Sequence, residues 1–305
     1  MSDHSGDLIA PLLSRAKAGD LQGLAKLLTA LEREGPACFQ RHPELIAPSH
    51  QAFRFGVTGP PGAGKSTMIG KLIGRFRQLG LRVGVMAVDP SSPFTKGAVL
   101  GDRIRYTEHF GDPGVFIRSL ASRGSLGGLS SSAYLMVRAF DLAQYDIVLL
   151  ETVGVGQTEL EIMNVADWVA VTLVPESGDS IQGMKAGLLE IADLFIVNKG
   201  DRPGADAFIR ELEAAMHLDP KAPSRPIPIL KTTATTGEGI ETLVQLVLTQ
   251  MKTQGTGSWR EKRASLPRLR AEAKALLRAQ AEREIEIKTN LVDSADDFAA
   301  LFRSF

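Results

Sequence analysis

The chain has 305 residues, and lysine plus arginine equals aspartate plus glutamate at 35 each, so the formal net charge is zero. That balance supplies no basic field for nucleic acid or for an anionic membrane surface. Cys38 is the only cysteine, which excludes internal disulfides and thiolate metal clusters and fits a reducing compartment.

No stretch approaches the ~20 apolar residues needed to span a bilayer. The N-terminus carries Asp3, Asp7 and Asp20 and lacks a basic start followed by an apolar core, the mark of a signal peptide. The expectation is a soluble cytoplasmic protein.

Residues 1–50 read as a helical extension. Leu8, Ile9, Leu12 and Leu13 make one apolar stripe, and Leu21, Leu24, Leu27, Leu28 and Leu31 make a second before Gly35-Pro36. Residues 51–253 then alternate strands with helices, which implies an α/β domain whose mostly parallel sheet is flanked by helices on both faces. The expected strands are 53–58, 82–88, 114–118, 145–151, 168–174, 193–198 and 226–231.

The first strand runs into Gly59-Pro60-Pro61-Gly62-Ala63-Gly64-Lys65-Ser66, followed by Thr67, which fits the phosphate-loop pattern of Gly, four residues, Gly-Lys-Ser/Thr. After it, Met68, Ile69, Leu72, Ile73 and Phe76 recur on one helix face. Gly59, Gly62 and Gly64 let the backbone turn its N–H groups around an anion, and the following helix adds its positive end. Lys65 reaches β and γ oxygens, and the Ser66 hydroxyl is a ligand for Mg2+.

Two later strands end in carboxylates: 83–88 runs into Asp89, and 146–150 into Glu151-Thr152-Val153-Gly154. A carboxylate at such a strand tip is where a nucleotide-bound Mg2+ takes an oxygen, directly or through water. Asp102 lies in a polar stretch suited to closing over a nucleotide. The Gly154 N–H suits a γ-phosphate, which makes 152–159 a candidate switch segment. Gln157 and Asp89 are alternative residues for positioning the attacking water. Residues 119–130 are too glycine-rich for a strand or helix interior, and 175–187, with Lys185, follow a strand; each is a candidate sensing loop beside the plainer reading of a connection.

Next, Asp193 to Val197 delivers Asn198-Lys199-Gly200-Asp201 to a strand's C-terminal end, where ligands of open α/β sheets gather. The Asp201 carboxylate matches the N1–H and exocyclic amine of guanine, donors that adenine lacks there. The Lys199 stem covers a base, and Asn198 braces the loop or meets N7. Thr232-Thr233-Ala234, after the 226–231 strand, offers a softer backbone contact to the guanine oxygen. Together these motifs specify GTP and GDP with Mg2+.

The tail, 254–305, is again helical. Pro267 is placed to begin a helix through Ala271, Ala275, Leu276 and Ala279, and Phe298, Leu301, Phe302 and Phe305 form one apolar face on a terminal helix. Folding back on its own domain and wrapping a second subunit both satisfy that pattern.

With these motifs in place, the chain resembles the MeaB family, G-protein chaperones of adenosylcobalamin-dependent acyl-CoA mutases that include the human methylmalonic aciduria type A protein; some members bear the older name of ArgK-type transport kinases. The resemblance runs through the phosphate loop, 88–103, 123–130, 151–159, 175–187, the Asn-Lys-Gly-Asp motif and the helical tail, and 88–103 and 151–159 are its most specific blocks.

The resemblance implies a P-loop NTPase of the SIMIBI-like G-domain type, with Lys65 and Ser66 on phosphate and Mg2+. It assigns Asp89, Asp102 and Glu151 to the metal and switch network, Asp201 to guanine, and Lys185 to a further switch loop. It also implies slow intrinsic GTP hydrolysis that gates adenosylcobalamin loading onto a mutase, and a homodimer joined by the tail. An adenosyltransferase is a second candidate partner.

Two positions depart mildly: Gly200 stands where alanine is usual, and Thr233 where serine is common. No Asp-x-His-x-x-Gly motif is present, so adenosylcobalamin is expected on the partner. Two other functions compete. A transport-protein kinase would want His-Arg-Asp and Asp-Phe-Gly, which are missing. A nickel-insertion GTPase would want clustered ligands, whereas His4, His42, His50, His109 and His217 are scattered.

Overall fold

The structure is a computed structural model that describes residues 7–46, 49–89, 106–121, 131–152, 158–176, 190–218, 226–253 and 263–289. Its centre is a seven-stranded sheet in the order β3-β2-β4-β1-β5-β6-β7. The strands are β1 (Phe53–Thr58), β2 (Val83–Asp89), β3 (Val115–Ala121), β4 (Ile147–Thr152), β5 (Trp168–Leu173), β6 (Leu194–Val197) and β7 (Ile229–Lys231), and every pairing between them is parallel.

Parallel strands need crossovers, and these cover both faces. On one face lie α1 (Ile9–Lys17), α2 (Leu21–Glu34), α5 (Ser131–Leu142), α6 (Thr158–Val165) and α7 (Ala205–Leu218); on the other lie α4 (Lys65–Gln78) and α8 (Ile240–Lys252). Strand β4 shows the division residue by residue. Val148 and Leu150 join the core under α1, α2 and α5, while Ile147 and Leu149 join the core under α4. The next odd position is Glu151, so the pleat aims its carboxylate toward α4.

The N-terminal extension is one of the layers. Asp20 caps α2 by accepting from the N–H groups of Gln22 (2.9 Å) and Gly23 (3.1 Å). The helix then buries Leu24, Leu27, Leu28 and Leu31 beside Ile9 and Leu13. Arg118 on β3 reaches Glu32 at 2.8 Å and ties this layer to the sheet edge. Cys38, in the short helix α3 (Cys38–Arg41), is fully buried among these leucines, and burial pushes its thiol up to about 12.

Two sequence expectations are revised. Ser119, Leu120 and Ala121, assigned to a glycine-rich loop, continue β3 because each pairs with β2 before the glycines begin. The last strand covers only Ile229–Lys231 of the expected 226–231. Residues 122–130, 177–189 and the Phe298-to-Phe305 face lie outside the described residues.

The tail helix α9 (Leu266–Thr289) lies against its own chain, with Ala275 and Leu276 packed on the core. Its root is held by charge. Asp167, whose side chain is fully buried, accepts from the Arg54 N–H at 2.8 Å and from the Arg263 guanidinium, with Arg268 at 3.9 Å. Arg54 also pairs with buried Asp141 at 2.8 Å. Three guanidiniums therefore share two carboxylates beneath β1, and burial lowers the affinity of Arg263 and Arg268 for their protons.

Removing one member of such a network strands buried charge. Asp167→Ala is expected to lower unfolding free energy by about 3–5 kcal/mol, read by urea denaturation followed by circular dichroism. A change below about 1 kcal/mol, the range of exposed pairs, would show that solvent already screens the cluster.

Candidate functional site

Strand β1 lies between β4 and β5, where the strand order reverses, so the loop after it opens into the crevice in which doubly wound sheets hold ligands. The loop's glycines are required by its surroundings. Gly59 has φ 136°, and a Cβ there would lie 2.0 Å from the Thr172 carbonyl oxygen. Gly64 has φ 87°, and a Cβ there would lie 2.3 Å from Asn198 Nδ2. Gly64 also precedes the first turn of α4, which no side chain caps. The turn thus presents a helix N-terminus to the loop's concavity, the geometry that holds phosphate. Lys65 is buried, with Nζ on the carbonyls of Gly59 (2.7 Å) and Pro60 (2.9 Å).

Ser66, one position further, donates to Glu151 Oε1 at 2.6 Å. The carboxylate's other oxygen accepts from the Tyr106 hydroxyl. Alongside, Thr152 Oγ1 donates to Thr58 Oγ1 at 2.8 Å and links the ends of β4 and β1. A hydroxyl and a carboxylate beside a phosphate cradle are the hard oxygen donors that suit Mg2+, which takes one or two protein oxygens and completes its shell from phosphate and water. The residues present fit that ion.

The second motif reaches the first through Asn198. Its Nδ2 donates to the Ala63 carbonyl at 2.8 Å, while its Oδ1 accepts from Thr232 Oγ1 (3.1 Å) and Ala234 N (3.0 Å). One buried carboxamide thus joins the phosphate loop, the end of β6 and the turn after β7. The turn itself is tight: Lys199 has φ 56°, and Gly200 N donates to Thr232 O at 2.8 Å. A Cβ at Gly200 would press on the Lys231 side chain, with Cγ 2.7 Å away. Asp201 stands exposed at the rim, whereas Thr233 is buried and donates to Glu238 at 3.3 Å. The Ala234 N–H, expected at a base oxygen, here serves Asn198.

The family model for "Methylmalonyl Co-A mutase-associated GTPase MeaB" matches residues 24–289. The chain belongs to the MeaB family. A Pyrococcus horikoshii protein named as a GTPase is 44% identical over 283 residues, which cover 91% of this chain and 88% of that one. The mitochondrial methylmalonic aciduria type A homolog of Mus musculus is 39% identical over 180 residues, 59% of this chain and 42% of that protein. Among solved structures, a LAO/AO transport system kinase superposes with a TM-score of 0.64 at 25% identity and covers 99% of this chain and 98% of its own. The parallel sheet with its phosphate loop is accordingly a P-loop GTPase fold.

Within this MeaB-family site, the structure brings together Gly59 to Ser66, Glu151, Asn198 and the Thr232–Ala234 turn, while Pro61 and Thr67 face outward. Asp89 ends β2 beyond Val88, the partner of Thr152, so its backbone reaches the same rim as Glu151. Asp102, Gly154, Gln157 and Lys185 lie outside the described residues.

Tyr106 and the Thr58–Thr152 pair escaped the sequence reading. Tyr106 is one of three tyrosines and stands four positions after Asp102, but no motif marks it. The four described histidines serve local structure: His42 meets Asp7, His50 meets the Tyr145 carbonyl, His109 the Gly70 carbonyl and His217 the Glu213 carbonyl, while His4 lies outside the described residues.

Asn198→Ala deletes three buried hydrogen bonds across the two motifs. It is expected to weaken GDP binding roughly 10- to 100-fold, the equivalent of about 1.5–3 kcal/mol, as measured by titration calorimetry. An unchanged affinity would mean that the two loops hold their spacing without it.

Proposed function

We propose that the protein is a slow GTPase that acts as a chaperone of an adenosylcobalamin-dependent acyl-CoA mutase, methylmalonyl-CoA mutase or a relative such as 2-hydroxyisobutyryl-CoA mutase. Its nucleotide cycle gates cofactor loading and the reactivation of damaged enzyme. The observation that carries the nucleotide half is the Asn198 bridge, which sets a guanine-type motif directly against a phosphate loop. The family's association with methylmalonyl-CoA mutase supports the partner half. Adenosylcobalamin belongs on the partner, and an adenosyltransferase is the source from which it would be handed over.

The chemistry asked of this chain is positioning and charge neutralisation. Backbone N–H groups of the loop and the start of α4 hold the phosphate oxygens, and the Lys65 ammonium moves from loop carbonyls to the β and γ oxygens. Mg2+, when bound, supplies the positive charge that offsets what develops on the departing diphosphate. Ser66 and Glu151 are the residues that hold it, with Asp89 and Asp102 completing the network. Water attacks the γ phosphorus as the bond to the bridging oxygen breaks, and Gln157 or Asp89 orients that water. Asp201 selects guanine, since a carboxylate facing adenine would lose both its donors. Gly154, Gln157 and Lys185 form the switch through which the mutase senses the γ-phosphate. The buried, reduced Cys38 suits a cytoplasmic setting.

The test pairs binding with partner readout. GTP and GDP should bind with Mg2+ while ATP does not; ATP binding as tight as GTP would defeat the guanine assignment and favour the transport-kinase reading. Lys65→Ala should abolish hydrolysis together with the nucleotide-dependent change in cofactor loading, and an unaltered turnover rate would refute the loop's role.

The dimer is part of the same proposal. On the outward side of α9, Leu269, Ala273, Leu277 and Ala281 follow one another at steps of four, and Leu277 is 71% exposed. An apolar line of this kind on a helix is a docking face for a second copy. Leu277→Glu should give a monomer in light scattering with GDP affinity intact, whereas a surviving dimer would place the contact elsewhere.

A further inference from the structure

We propose that Tyr106 is a positioning residue for the metal site: its hydroxyl holds one oxygen of Glu151 so that the other serves Ser66 and Mg2+. The inference rests on the assignment of Ser66 and Glu151 to Mg2+ and goes beyond it, because Tyr106 is assigned a role exerted through the carboxylate that its hydroxyl holds.

Glu151 is 4% exposed, so each of its oxygens must be satisfied within the protein. Ser66 Oγ donates to Oε1 at 2.6 Å, and the Tyr106 hydroxyl donates to Oε2. Those two donors come from opposite sides. Ser66 belongs to the first turn of α4 at the crevice, while Tyr106 is fully buried in the core that α4 covers, together with Met68, Ile69 and Leu72. A phenylalanine would fill that space equally well. The hydroxyl is therefore what the position demands, since a buried phenol must find an acceptor and a buried carboxylate a donor.

The clamp is anchored. Residues 106–114 are fastened to α4 and to the start of β2: His109 Nε2 meets the Gly70 carbonyl at 3.0 Å, Arg77 Nε donates to Asp112 at 2.8 Å, and Val83 N donates to the Gly114 carbonyl at 2.8 Å. Glu151 in turn sits at the end of a central strand, level with Val57 on β1 and Ala87 on β2. Both ends of the Tyr106–Glu151 bond are thus tied to the rigid frame. The Ser66 bond is different in kind, because a bound Mg2+ would take that hydroxyl as a ligand and Oε1 would then be free to serve the ion. Tyr106 keeps Oε2 engaged throughout and prevents the carboxylate from rotating away.

The experiment reads GDP affinity against Mg2+ concentration, using a fluorescent GDP analogue and the full-length chain, with thermal melts alongside. Orientation of a metal-site carboxylate by an outer-shell partner should carry roughly a tenfold effect on metal affinity. Tyr106→Phe should therefore raise the Mg2+ concentration for half-maximal tightening about tenfold, with affinity in chelator unchanged. Glu151→Ala should raise it at least as much. Adding Tyr106→Phe to Glu151→Ala should produce no further shift, and this double variant leaves neither the buried phenol nor the buried carboxylate without its partner.

If Tyr106→Phe leaves the Mg2+ dependence unmoved while Glu151→Ala shifts it, the positioning role is wrong and the metal assignment survives. If Glu151→Ala shifts nothing, the metal assignment fails and the proposal with it. Equal weakening of binding with and without Mg2+ in Tyr106→Phe would reduce the residue to pocket structure and also overturn it.

Discussion

The Asn198 carboxamide is the joint on which the site depends. Its donor end holds the phosphate loop through Ala63, and its acceptor end holds Thr232 and the Ala234 N–H. Three segments far apart in sequence are thereby set at one spacing, and the span between a triphosphate and a purine edge is fixed by one side chain. The closeness of that side chain also explains Gly64, where any Cβ would meet Nδ2. A phosphate loop alone binds anions; held against the turn after β6 that carries Asp201, it has the makings of the proposed nucleotide pocket.

Carboxylates at the two ends of the sheet do opposite work. At the N-terminal ends, aspartates accept from backbone groups that begin strands: Asp141 from Ala52 N, Asp167 from Arg54 N, Asp146 from Arg82 N and Asp193 from Val169 N. These bonds start the strands and, with three arginines, fasten the tail helix. At the C-terminal ends, among the described residues, Glu151 accepts from two side-chain hydroxyls, one of which is the proposed metal ligand. Hydroxyl donors can be exchanged for a metal-bound water at little cost, whereas a backbone donor at a strand start cannot leave. The chain's zero net charge conceals this sorting, because position along the strand, not charge count, decides which acids do chemistry.

That sorting also sets how structure and switching divide. The Ser66–Glu151 bond joins the phosphate loop to the strand whose end leads into 153–157, and Tyr106 joins the same carboxylate to the end of 90–105. The phosphate loop, the end of β4 and the 106–114 segment therefore meet at one side chain. Under the proposed metal assignment, a change in what Ser66 binds would be felt at Glu151, which Tyr106 holds by its other oxygen.

Much of this was legible in the residues themselves. The glycine pattern, the Met68-to-Phe76 stripe and the short apolar runs ending in Asp89, Glu151 and Asn198 are local signals. Steric freedom and burial period act over a few residues, so they determined the nucleotide class, the phosphate loop and a mostly parallel α/β sheet. Two strand ends were misjudged: the glycines after 121 hid the end of β3, where pairing with β2 overrides composition, while the expected last strand ran through Pro226 and Pro228, which cannot donate to a ladder. What only the tertiary structure decided depends on the register between strands remote in sequence. The pairing of Val57 with Glu151 sets that carboxylate beside Ser66, the crossing of the 106–112 segment under α4 delivers a tyrosine to it, and the return of Arg263 to Asp167 docks the tail. No periodicity within a segment encodes such meetings, because the donor and the acceptor lie on elements that approach only after the sheet has formed.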